Sequence, residues 1–410
     1  MPLAPRLLVA DQVAGRISVL DLPDGRVSGV VEGRHLAEHA GFLALPGGRW
    51  AFVDDLAGEL VVLDPYGPDA GRPLVAATAP VAIPAEHLAV DPSGRYAAVT
   101  TGLGRSWEPW SDLLTVVDLD GGRSVRVRTR VGEPGVTVLG GPEGSGEPGG
   151  ALLVLRHREP GALAAYRYDD LLAAAPACPP ATPAYETELP DHDGHGDAHD
   201  PLTGRLFAAA GSGVHRARRE GDRLVAEEPL PWAGPGRGYY LRLDPVRRVL
   251  WSCVRGGPAD PGRWPEWTND AWFHALDTGR TGRVPLGPGL VFRLAVAARH
   301  VAYARVHPDG DELVLLDRDA PRVVARRPLP PMDGAPRRGA TPWDGVQRRA
   351  IAASPGADLV AVTRGGHGEV HLFDGTEPVA TYTLPTPLDD GGHLALTAPG
   401  DGACGDPVGR

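Results

Sequence analysis

The chain has 410 residues, 42% of them apolar, and a net charge of −11. That acidic balance excludes nucleic acid or an anionic membrane as the main partner, and no apolar run reaches the roughly 18 residues needed to span a bilayer. Gly (55) and Pro (43) make up nearly a quarter of the chain, about twice the usual share, which implies many turns between regular apolar runs.

The first residues, Met1-Pro2-Leu3-Ala4-Pro5-Arg6, run straight into a strand pattern. They lack the basic region, apolar core and cleavage site of a signal peptide, so the expected location is cytoplasmic. Residues 5–32 supply three strands, Leu7–Ala10, Arg16–Leu20 and Val27–Val31. A four-strand pattern then recurs about every 40–55 residues, the period of propeller blades. The units fall at 40–80, 86–130, 134–188, 192–230, 237–286, 290–330 and 344–386.

Their clearest mark is a strand ending in aspartate, as in Val19-Leu20-Asp21, Val62-Leu63-Asp64, Val116-Val117-Asp118 and Leu315-Leu316-Asp317, where the carboxylate starts a turn. A second mark is the Pro-x-Gly-Arg turn, at Pro46–Arg49 and Pro92–Arg95. Tyr168–Ala175 is the sole helix candidate. The missing inner strand of residues 5–32 is His393–Thr397, so a blade built from both termini closes the propeller and removes its free edges. The expectation is an all-β chain forming one propeller domain over 1–410, with eight four-stranded blades. Seven is the alternative count if 134–188 is not a true blade. Cys178, Cys253 and Cys404 have no metal or redox spacing, and a bridge between Cys178 and Cys404 stays open.

In a propeller the inner strands begin on one face, around the axial channel. Those starts carry His39, His87, His195, Tyr239, Arg293, Trp343-Asp344 and His393. Imidazole ligates zinc, moves protons or ties blades together, so His39, His87, His195 and His393 are the candidate metal ligands. His195 belongs to Asp191–Asp200, which holds three histidines and four aspartates; His192 falls in the connecting loop and His199 further down the strand.

Two connections reaching the same face are rich in tryptophan: Gly104–Asp112, with Trp107 and Trp110, and Gly262–Trp272, with Trp264 and Trp267. Tryptophan serves recognition or local packing. Basic residues gather at second-strand ends, among them Arg156-His157-Arg158, Arg255, Arg305, His307, Arg364 and His367. On an acidic chain they point to a small organic, anionic ligand, whose binding residues would be Trp107, Trp110, Trp264, Trp267, Tyr239, Arg293, Trp343 and Arg255. Acid–base chemistry would fall to His87, His195 and Asp344. There is no Gly-x-Ser-x-Gly elbow and no phosphate-cradling loop.

Beyond its general likeness to YVTN and WD40-like propellers, the chain resembles the β-propeller zinc chaperones of bacterial zinc uptake. The resemblance rests on His195-Gly196-Asp197-Ala198 after an Asp-rich entry, where that family has His-Gly-Glu-Ala. It rests also on Met332-Asp333-Gly334 leading through Trp343 and Arg348-Arg349-Ala350-Ile351-Ala352 to Val370–Asp374. It implies zinc at His195 and His87. The readings carried forward are a funnel binding a small molecule and a divalent metal, with metal-assisted or acid–base chemistry; a metal-binding chaperone; and a protein-interaction scaffold.

Overall fold

The computed structural model describes residues 3–103, 110–140, 150–190, 195–221, 223–388, 391–399, 401 and 407–408. The strands sort into eight antiparallel sheets, the blades of an eight-bladed β-propeller. The segment on which the count turned is a complete blade, with strands Gly135–Leu139, Leu152–His157, Ala162–Arg167 and Tyr185–Glu188.

The chain divides into two compact units. One holds blades 2 to 5, residues 36–232 together with 239–243. Their strands span Phe42–Pro80, Ala85–Thr129, Gly135–Glu188 and Gly196–Pro231. Second strands such as Arg49–Asp54 and Tyr96–Thr101, and third strands such as Glu59–Leu63, are buried on both faces, which is why they read as largely apolar runs. Fourth strands such as Arg123–Thr129 are mostly polar and only partly buried. The core lies between blades: Leu60, Val62, Leu88 and Val99 form one cluster, and Leu114, Val116, Leu153, Leu155 and Tyr166 another.

The helix candidate forms a shorter helix, Tyr168–Leu172. Its Tyr168 is buried and reaches back to the third blade, where Val117 N donates to its hydroxyl at 3.0 Å. Pro407–Val408 pairs with Phe42 and Leu43, adding a strand to the edge of blade 2.

The other unit holds blades 1, 6, 7 and 8. Blade 1 joins Arg6–Asp11, Arg16–Asp21 and Arg26–Glu32 to His393–Thr397, with Leu8 opposite Ala395. Blade 7 spans Leu290–Leu329 and blade 8 Ile351–Thr383. Buried arginine–aspartate pairs staple neighbouring blades within each unit. Arg318 holds Asp244 and Arg349 holds Asp311 at 2.7 Å, while Arg156 holds Asp197 at 2.7 Å in the first unit.

Several strand-ending aspartates start the turn as expected while also pairing with an arginine, Asp64 with Arg72 at 2.8 Å and Asp317 with Arg322 at 3.6 Å. Asp64 Oδ1 accepts from Tyr66 N at 3.2 Å and Asp317 Oδ1 from Asp319 N at 3.0 Å. Asp21 instead meets Arg6 and Arg26. Cys178 and Cys253 are free thiols, and Cys404 lies outside the described residues. Among the described residues no helix is long and apolar enough to cross a membrane.

Candidate metal-binding arc

In the first unit the inner-strand starts of consecutive blades carry a linked series of charged groups. His39 Nδ1 stands 2.7 Å from Glu86 Oε2, joining the entries to blades 2 and 3. That bond, aided by the charges of Glu86, Glu38 and Glu133 and opposed by burial, raises the His39 pKa above its ordinary 6.5. Asp55 lies beside them, its carboxyl held at 2.8 Å by Ala85 N. Burial raises its pKa, and the charges of Asp54 and Glu86 add to the shift.

Gly102 packs between the next two carboxylates. A Cβ there would lie 2.9 Å from Glu86 Oε2 and 3.1 Å from Glu133 Cγ, so a larger residue would have to displace these two side chains. Glu133 pairs with Arg158 at 3.3 Å. Arg158 Nη2 in turn donates to His195 Nδ1 at 2.6 Å, and the His195 ring stands edge-on to Tyr239 at 6.1 Å. Arg156 anchors this end by donating to His195 O at 3.1 Å and to Asp197.

The four candidate histidines therefore have different surroundings. His39 faces carboxylates. His195 faces a guanidinium. His87 is buried, with Nδ1 2.7 Å from Glu86 O, because a bulge between Ala85 and His87 turns Glu86 outward in its place. His393 is buried in the other unit, opposite Ala10. Among the described residues no three His, Cys, Asp or Glu side chains gather closely enough to form a ready metal cluster.

The tryptophan loop of blade 6 belongs to the other unit. Pro261–Glu266 forms a short 3-10 turn capped by Asp260. Trp264 and Trp267 are buried there, bonded through their indole nitrogens to Arg337 O and Pro258 O. Trp267 stacks on Trp343 at 5.9 Å, and Arg255 lies over it at 4.2 Å. Asp344 is exposed and accepts from Thr341 at 2.6 Å; Arg293 is half-buried. Trp110 is exposed, and Trp107 and His192 lie outside the described residues.

The basic residues expected to form a cationic face are largely engaged in ion pairs, Arg305 with Glu312 and Arg364 with Glu369 as well as Arg156 with Asp197. Pairing with near carboxylates wins because a partly buried cation needs a counter-charge. Composition does not reveal Glu86, Asp55, Glu133 and Arg158 as members of the arc, although the Glu-His pairs at 38–39 and 86–87 were visible in the sequence.

No family model and no curated protein matches this sequence. Solved structures do. AztD from Citrobacter koseri superposes with a TM-score of 0.64 at 13% identity, covering 99% of both chains. Its apo form gives 0.64 at 11% over the same coverage. The dihydro-heme d1 dehydrogenase NirN, in complex with DHE, gives 0.57 at 14%, covering 97% of this chain and 77% of its own. These likenesses establish the fold. The propeller resemblance read from the sequence is thereby borne out as a likeness of fold, with AztD superposing over nearly the whole chain.

Proposed function

We propose that this protein is a binding propeller that takes up a divalent cation of the zinc class as cargo, at the carboxylate end of the arc. The observation that carries this is the His39–Glu86 contact at 2.7 Å, supported by the end-to-end fold likeness to AztD. Imidazole nitrogen and carboxylate oxygen are ordinary zinc donors, and Glu38, Asp55 and Glu133 add negative charge around them. His195 does not fit the same role, because the Arg158 guanidinium at its Nδ1 repels a cation. Two protein donors fall short of the four that close a structural zinc site. That leaves positions for water or a receiving protein's ligands, which suits transfer more than storage.

Equilibrium dialysis against zinc tests the reading. One zinc per chain is expected in the wild type, with affinity falling at least tenfold in His39→Ala and in Glu86→Gln and unchanged in His87→Ala. Zinc binding unaltered in both arc variants contradicts it.

A second reading has its own observation. The half-buried Trp343 edge beside Arg255 and Trp267 suits a flat anionic molecule, through stacking and charge.

A further inference from the structure

Apolar side chains stand exposed beside the acidic arc. Among the described residues eleven large apolar side chains are exposed, and three of them lie in the second-to-third strand connections of just two blades, 2 and 3. These are Leu56 (72%), Leu103 (50%) and Trp110 (38%). Each is tied to the arc. Leu56 follows Asp55, whose carboxyl accepts from Ala85 N at 2.8 Å, next to Glu86. Leu103 follows Gly102, against which Glu86 packs. Trp110 stands two residues before Asp112, which accepts from Gly132 N at 3.0 Å, next to Glu133. A single exposed leucine is ordinary, whereas apolar residues grouped around polar ones mark an interaction surface.

The charge of this surface selects among occupants. Glu38, Glu86 and Glu133 all act on His39, and Asp55 stands within the field of Glu86. Arg158 offsets one of these charges through Glu133, which leaves the patch acidic on a chain of net charge −11. A second copy would bring the same carboxylates against themselves, and a phosphate-bearing surface would be repelled. A basic protein segment is attracted instead. Complementary charge raises its association rate and fixes its specificity, while desolvated apolar anchors, tryptophan above all, carry the affinity.

We propose that the connections of blades 2 and 3 dock a basic, apolar segment of a partner protein, its apolar side chains against Leu56, Leu103 and Trp110 and its cationic groups towards Glu86 and Glu133. A cationic side chain at Glu86 forms a charge-assisted bond. The docking needs no metal, so it stands apart from zinc uptake.

Three fluorescein-labelled peptides separate charge from apolar contact: Lys-Leu-Lys-Leu-Lys-Leu-Lys, its serine counterpart Lys-Ser-Lys-Ser-Lys-Ser-Lys, and the acidic Glu-Leu-Glu-Leu-Glu-Leu-Glu. Fluorescence anisotropy is read on the full chain in chelator-treated buffer, which keeps the result separate from the zinc test. The first peptide binds at least tenfold more tightly than either of the others. Leu56→Ser combined with Leu103→Ser weakens it at least tenfold, and Glu133→Gln weakens it severalfold. Leu202→Ser leaves it unchanged, although Leu202 is as exposed (67%) in the turn before the second strand of blade 5. All the substituted positions lie at the surface, and thermal melts matched to the wild type confirm folding. Equal binding of the two lysine peptides, no binding of either, or equal losses in the Leu56/Leu103 and Leu202 variants overturns the proposal. Self-association of the wild type that is lost in the Leu56/Leu103 variant assigns the patch to a second copy and overturns it too.

Discussion

Asp311→Ala is expected to destabilise the protein by about 3–5 kcal/mol, because it strands a buried cation. Arg349 is 3% exposed and Asp311 6%. The carboxylate receives Arg349 Nε at 2.7 Å through one oxygen and His307 N at 3.0 Å through the other. Arg349 also donates to Thr363 O at 3.0 Å and to Pro330 O, so its position is fixed from several sides. Removing the aspartate leaves those backbone bonds but no counter-charge, and the guanidinium can neither shed its proton nor reach water. Replacing both partners with apolar residues, as in Asp311→Ala with Arg349→Met, removes the buried charge itself and should recover most of the loss. Denaturant unfolding of the two variants measures this. A single variant within about 1 kcal/mol of wild type, against the expected 3–5, refutes the staple.

His157 is expected to make the protein acid-sensitive. Burial, reinforced by the charges of Arg130 and Arg156, lowers its pKa from 6.5 to about 3. A histidine depressed in the folded state binds its proton more readily when unfolded. Its contribution to stability is therefore full above the unfolded value of about 6.5 and is lost as pH falls towards 3. Each unit of separation is worth about 1.4 kcal/mol, so about 3 kcal/mol has gone by pH 4.5. His157→Leu keeps an apolar group of similar bulk and removes the titration. The difference in unfolding free energy between pH 7 and pH 4.5 should then shrink by about 3 kcal/mol, with little change at pH 7, where the wild-type imidazole is neutral. Parallel pH profiles for the two proteins would contradict the assignment.

The blades were legible because their signal is a period. Strands buried on both faces demand continuous apolar runs, and the turns between them demand Gly, Pro and Asp, so the expected 134–188 and 290–330 fall within a residue of the observed Gly135–Glu188 and Leu290–Leu329. The site was less legible because a strand start is read one residue at a time. At 86–87 a single bulge turns Glu86 towards His39 and buries His87, an inversion that leaves composition and spacing unchanged. At His195 the position at a strand start was visible, whereas the Arg158 that decides its chemistry comes from a different blade. The tryptophans show the same limit: Trp267 stacks on Trp343, 76 positions away in sequence, and nothing local distinguishes that partner from a ligand.

Histidine ring nitrogens resolved by long-range proton–nitrogen NMR during a zinc titration test the central claim most directly. The account predicts that zinc moves the His39 resonances and leaves those of His195 in place, with the response lost in Glu86→Gln. Zinc shifts at His195 with His39 unmoved would contradict it.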